Sequence, residues 1–178
     1  GTAEGDFATC LVWSTRPAME LPLLMIVTNN GWGISTPGST QHGEKSIADR
    51  GKAFGMRTRV IDGNDPETAY LELKEAMDYV RTERRPFLLE ASVSRLYGHS
   101  SASGANYNTV EADCITAFEE RLDKHGVRSK EESKKLREKY TEEYAELARQ
   151  AKEEPFPDGN TIWNHVFAGE PGKDPLAD

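Results

Sequence analysis

Apolar and polar positions change rhythm three times along the chain. Over residues 7–20 apolar and small residues recur at near-helical spacing, and Pro17 is placed to end a helix near Arg16. Residues 21–28 form an almost continuous apolar run closed by Asn29-Asn30-Gly31. That is the pattern of a strand buried on both faces of a parallel sheet, and a central place in the sheet is expected for it. A polar loop follows, then a short helix over residues 47–54 and a strand over 57–62. Asp65-Pro66-Glu67 reads as the capped start of a helix reaching about Thr82, and residues 86–93 as the next strand. Strands and helices thus alternate from residue 7 to 93, which predicts an α/β fold with βαβ units and a mostly parallel sheet flanked by helices. Ligands of such sheets bind beyond the carboxyl ends of the strands. The turns at residues 29–35, 62–65 and 94–103 all follow strands, so any chemistry is expected along that one edge.

From Val110 onward the rhythm changes. Residues 130–153 are dense in Glu, Lys and Arg, with Leu136, Tyr140, Tyr144, Leu147 and Ala151 recurring at intervals of three and four. This is an amphipathic helix with a narrow apolar stripe, suited to packing on the sheet domain or to binding a partner. A turn at 154–159, a short amphipathic stretch at 160–166 and a linker or frayed tail at 169–178 complete the chain. The expected organisation is an α/β part over 1–108, a C-terminal helical extension over 109–168 and a tail over 169–178. There is no internal repeat.

Composition narrows the partners. The 178 residues suffice for one core-bearing domain, and a net charge of -8 argues against nucleic acid, which needs clustered Lys and Arg. A small molecule or another protein is the expected ligand. Cys10 and Cys114 lie far apart with no Cys-x-x-Cys spacing, so neither a disulfide framework nor a zinc site is indicated. No apolar run approaches the roughly 20 residues that cross a bilayer, and no membrane partner is expected. The first residues read as the middle of a motif, without an initiating Met or a leader, so a longer protein is expected.

Few residues offer chemistry. Asn29-Asn30-Gly31 stands where a buried strand delivers polar groups to the ligand edge; Asn oxygens and a nearby carbonyl suit a hard divalent cation, while a tight turn uses the same residues. His99 lies in a Gly/Ser-rich loop after another strand and could serve as an acid or base, or as a solvated loop residue. Ser100, Ser101 and Ser103 lack a Gly-x-Ser-x-Gly elbow, which argues against a hydrolase. Glu4 and Asp6 fit helix capping. Gly31-Trp32-Gly33 lacks the third glycine of a dinucleotide fingerprint, so NAD binding is not expected. His42, His125 and His165 have no partner at ligand spacing, which leaves them surface or packing roles.

Taken together, these segments resemble a known family. Gly1-Thr2-Ala3-Glu4-Gly5-Asp6-Phe7, followed by Asn29-Asn30, resembles the thiamine-diphosphate motif that opens with Gly-Asp-Gly and closes with Asn-Asn. The resemblance continues through Asn30-Gly31-Trp32-Gly33-Ile34-Ser35-Thr36-Pro37, Ile47-Ala48-Asp49-Arg50-Gly51, Asp62-Gly63-Asn64-Asp65, Pro86-Phe87-Leu88-Leu89-Glu90-Ala91 and Gly98-His99-Ser100. It is strongest over residues 1–108. The chain is similar to the C-terminal part of the α subunits of thiamine-diphosphate-dependent 2-oxo acid dehydrogenases, above all the branched-chain enzymes.

The resemblance implies a partial thiamine-diphosphate-binding fold and thiamine diphosphate with Mg²⁺ as cofactors. It implies Mg²⁺ bound by the Asn30 side chain and the Trp32 carbonyl, and a diphosphate site lined by Gly1, Thr2 and Thr28 with Ile34 close by. His99 would sit near the cofactor and assist acyl transfer to a lipoyl arm; Ser100 matches a position phosphorylated in some members. The implied activity is oxidative decarboxylation of a branched-chain 2-oxo acid with acyl transfer to lipoamide, the fragment being inactive alone. The implied partners are a β subunit or fused β domain and a lipoyl-bearing acyltransferase, in the bacterial cytoplasm or the mitochondrial matrix. A pyruvate or acetoin dehydrogenase α part and a non-catalytic assembly module are the alternatives. The chain departs from the family at Ser103-Gly104 and at Tyr107-Asn108, and the family's acidic metal ligand would fall just ahead of Gly1.

Overall fold

The computed structural model describes residues 1–100 and 110–164. It is an α/β structure that divides into two compact units, Gly1–Arg128 and Ser129–Asp178. The first unit begins with α1 (Gly5–Ser14), β1 (Leu24–Asn29) and a small antiparallel ribbon of β2 (Trp32–Gly33) and β3 (Thr36–Pro37). It continues with α2 (Ala48–Ala53), β4 (Arg57–Asp62), α3 (Pro66–Glu83), β5 (Phe87–Ser92) and α4 (Cys114–Lys124). The second unit contains α5 (Lys130–Glu153) and a 3-10 turn over Gly159–Trp163.

β1, β5 and β4 form a parallel sheet in that order, with Asn29 and Asp62 both opposite Ser92 at its carboxyl end. The central strand is therefore β5, from Phe87 through Ala91 entirely buried. Its alternate residues serve two cores. Phe87, Leu89 and Ala91 pack with Ile61 of β4 and with Ala76 and Val80 of α3, while Leu88 packs with Leu11 of α1, Val27 of β1, Ile47 and Met56. Each fully buried Phe or Leu stabilises the fold by about 1.5–3 kcal/mol. Helices on both faces leave no side of β5 for water, which explains a strand without polar alternation.

The apolar run before Asn29, expected at the centre, is an edge strand among the described residues. β1 shows the alternation of one covered face, with Val27 at 9% exposure and Ile26 at 52%. A run of apolar residues identifies a strand but not its neighbours, and the run over residues 87–91 has the stronger claim because both its faces meet helices. α1 also stops at Ser14, short of the expected limit, since the residue before Pro17 is driven out of helical geometry and Ala18 turns the chain with a positive φ of 61°.

The remaining helices form where their caps stand. Asp65 accepts from the Glu67 N–H at 3.3 Å and Pro66 takes the first turn of α3, which ends at Arg84 in the left-handed region. α4, not distinguished in the sequence pattern, starts where the Asp113 carboxylate accepts from the Ile115 and Thr116 N–H groups. α5 opens with a full capping box of Ser129 and Glu132 and exposes Tyr140, Tyr144 and Leu147. No helix of the described residues is long and apolar enough to cross a membrane.

Candidate functional site

Because the three strands run parallel and in register, the turns after β1, β4 and β5 meet at one edge of the sheet, where the pattern placed them. The Val93 N–H donates to the Asn29 carbonyl at 3.0 Å and the Gly63 N–H to the Ser92 carbonyl at 2.8 Å. Gly63 has no space for a side chain: an added Cβ would lie 2.7 Å from Val93 and 2.9 Å from Ala91. Asn64 and Ser94 then exchange two hydrogen bonds of 3.0 Å across the same seam.

The turn after β1 is fixed from inside the protein. Glu90, on the α1/α2 face of the central strand, is 2% exposed. One of its carboxylate oxygens accepts from Asn29 Nδ2 at 2.7 Å, and the other accepts from Ser46 Oγ at 2.6 Å and from the Ala48 N–H at 2.7 Å. An acid this deep requires such donors, because a buried carboxylate without them is prohibitively costly. Asn29 passes the constraint on: its Oδ1 accepts from the Gly31 N–H at 3.0 Å. Gly31 sits at φ 73°, where a side chain would be strained, and the chain reverses there.

Asn30 and Trp32 follow directly. Asn30 Oδ1 accepts from the Trp32 N–H at 3.1 Å, which holds the amide and leaves one of the oxygen's two lone pairs available. Pro37 stands opposite Trp32 in the ribbon and has no N–H to give, so that pairing does not consume the Trp32 carbonyl. Two neutral oxygens of the kind a hard cation takes are thus presented by residues two positions apart. Among the described residues no group of three His, Cys, Asp or Glu could hold a metal, so any cation here would depend on such neutral donors and on its ligand.

A cleft of about 470 Å³ opens beside this turn. Gly1, Thr2, Thr28, Asn30 and Trp32 line it, so five of the seven residues assigned to the cofactor by resemblance share one cavity. Phe7, Met25, Val27 and Ile47 add an apolar wall. Ile34 and His99 are not among the lining residues. Ile34 is 65% exposed with a positive φ of 58°, an unusual conformation for a β-branched residue. His99 is exposed in the segment after β5, and Ser100 beside it is exposed as well. Arg95 links the two loops: its guanidinium donates to the Ile34 carbonyl and lies 5.7 Å from the centre of the Trp32 ring. Ser101, Ser103, Gly104, Tyr107, Asn108 and His165 lie outside the described residues.

The pocket has a polar corner that sequence reasoning did not find. His42, set aside as a surface or packing residue, lines the cleft, and its Nδ1 is 3.3 Å from Glu44. Glu44 also accepts from Arg50 Nε at 2.7 Å, and the Arg50 guanidinium donates to the Thr2 carbonyl. Burial works to raise the Glu44 carboxyl, but its own backbone N–H, then Arg50 and His42, outweigh it and hold the group below the usual carboxylate range. Glu90 was not singled out either, although a charge inside an apolar run is a local signal that calls for hidden donors. His42 has Glu44 two residues on, but Arg50 and Thr2 complete that corner only through folding, and Arg95 meets Ile34 and Trp32 from another loop.

A family model described as dehydrogenase E1 component matches residues 1–160. The chain is 31% identical to 2-oxoisovalerate dehydrogenase subunit alpha 2, mitochondrial, of Arabidopsis thaliana, over 94% of this chain and 37% of that protein. It is 35% identical to pyruvate dehydrogenase E1 component subunit alpha of Acholeplasma laidlawii, over 78% of this chain and 42% of the relative. A further Arabidopsis thaliana protein, named putative 2-dehydropantoate 2-reductase, is 33% identical over 77% of this chain and 40% of its own length. The chain thus spans less than half the length of these curated relatives.

Proposed function

The chain belongs to the dehydrogenase E1 component family, and on that premise we propose that it is the C-terminal part of the α component of a branched-chain 2-oxo acid dehydrogenase. In that reading it works with thiamine diphosphate and Mg²⁺, with a β subunit or fused β domain, and with a lipoyl-bearing acyltransferase that takes the acyl group. The bacterial cytoplasm or the mitochondrial matrix would house it. The observation that carries the reading is the cleft in which Gly1, Thr2, Thr28, Asn30 and Trp32 come together. Its residues fit the cofactor by chemistry. Neutral oxygens at Asn30 and Trp32 suit Mg²⁺, and the apolar wall of Phe7, Met25, Val27 and Ile47 suits the uncharged part of the molecule.

Thiamine diphosphate would supply the carbanion-stabilising chemistry that protein side chains lack. The chain's own contribution is binding and placement. Asn30 Oδ1 and the Trp32 carbonyl would hold the metal, Gly1, Thr2 and Thr28 would line the diphosphate, and Ile34 would stand near them. His99, on the loop tied back through Arg95, would face the acyl group and assist its transfer as a hydrogen-bond donor or acid. The reductase name carried by one relative is not transferred, because Gly31-Trp32-Gly33 enters a β ribbon instead of the strand-to-helix turn a dinucleotide fingerprint needs.

The substrate assignment is tested by decarboxylation assays of the full-length protein reconstituted with its partner subunit. A higher kcat/KM for 3-methyl-2-oxobutanoate than for pyruvate is expected. The reverse order would reassign the substrate, and no decarboxylation of any 2-oxo acid would overturn the enzymatic reading.

A further inference from the structure

We propose that His42 is an anion-contacting residue of the cleft, which takes up a proton when the diphosphate binds and pairs with a phosphate oxygen. The inference rests on the cofactor reading above and extends it to a residue that reading does not use. Among the residues that line the cleft, His42 has the one side chain able to carry a positive charge; no Lys or Arg is among them. A diphosphate brings more than one negative charge into a chain whose net charge is already -8. A divalent ion offsets part of that, and a cation in the wall favours the remainder.

The imidazole is built in. Its side chain is 17% exposed, and Nδ1 lies 3.3 Å from the Glu44 carboxylate. Glu44 is gripped by Arg50, and Arg50 is bonded to the carbonyl of Thr2, a residue of the same cleft wall. The series His42, Glu44, Arg50, Thr2 therefore fixes the ring relative to the diphosphate end. Nε2 has no partner among the described residues and is the nitrogen left for a ligand.

With Nδ1–H donated to Glu44, neutral His42 presents a bare Nε2 lone pair, which repels a phosphate oxygen. One proton on Nε2 turns the repulsion into a charge-assisted hydrogen bond. Of the other titratable groups, Arg50 stands behind Glu44 and the Cys10 thiol of α1 lines the same cleft. The guanidinium is charged already and the thiol gains no proton, so the imidazole is the group that can reverse the sign of its contact with an anion.

The test is calorimetric titration of Mg²⁺–thiamine diphosphate into the full-length protein with its partner subunit. It is run at about pH 7.5, in two buffers of different ionisation enthalpy. The wild type should take up a fraction of a proton per cofactor bound. His42→Gln should bind about tenfold more weakly with the uptake abolished and the thermal unfolding temperature unchanged; His42→Ala should behave alike. Uptake that persists in His42→Gln, or a wild type that binds without uptake, overturns the proposal while leaving the cofactor reading intact. A wild type that does not bind the cofactor at all overturns both.

Discussion

Glu90 is the residue on which the geometry of the turn depends. Its carboxylate satisfies Asn29, Ser46 and the Ala48 backbone at once, and through Asn29 it sets the course of the chain into Asn30 and Trp32. Truncation would strand three donors in a buried place, each costing about 1–3 kcal/mol when left unpaired. Glu90→Ala should therefore lower the unfolding free energy by roughly 3 kcal/mol or more in urea titration, and Glu90→Gln by less, because the amide keeps one acceptor. A loss below about 1 kcal/mol for the alanine variant would contradict the network. At this scale residue identity and turn chemistry pointed to Asn30 and Trp32, and both line one cleft. The sequence was silent on which distant residues meet: His42 and Glu44 are near in sequence, but Arg50 and Thr2 join them only through folding. For His99, the family likeness and the exposed position together predict that His99→Ala spares cofactor affinity and slows acyl transfer. Parallel binding and single-turnover measurements separate the two effects.

Elements were legible in proportion to their caps and periods. α3 starts where Asp65-Pro66 placed it, α5 covers the expected residues 130–153, and β4 and β5 fall on the expected runs. The sheet order was not legible, since the apolar runs of β1 and β5 look alike and only the packing of helices on both faces distinguishes the centre from the edge. The α3 cap also predicts a pH dependence. The Thr68 hydroxyl first, and Arg121 next, hold the Asp65 carboxyl below its ordinary value of 3.8. A carboxylate depressed in the folded state stabilises above its unfolded value, and the contribution disappears as pH falls through the lower, folded value. The melting-temperature difference between wild type and Asp65→Asn should thus be present at neutral pH and vanish in acid; a difference that grew below about pH 4 would contradict the pairing. At the sheet's carboxyl edge, Gly63→Ala should cost about 1–3 kcal/mol in the same urea experiment, because its Cβ would press on Val93, Ala91 and the Ser92 carbonyl.

For the whole molecule, the parallel sheet delivers its turns to one edge and a 470 Å³ cleft forms there. The family match extends over residues 1–160, although the chain covers only 37–42% of three curated relatives. On the proposed function, this cleft would hold a diphosphate through a divalent ion on Asn30 Oδ1 and the Trp32 carbonyl. The most direct measurement is calorimetric titration of Mg²⁺–thiamine diphosphate into the full-length protein with its partner subunit, comparing wild type, Asn30→Ala and Trp32→Phe. Asn30→Ala, which would remove a proposed metal ligand, should bind at least about tenfold more weakly. Trp32→Phe, which keeps the backbone carbonyl, should bind unchanged. Unchanged affinity in Asn30→Ala would contradict the assignment.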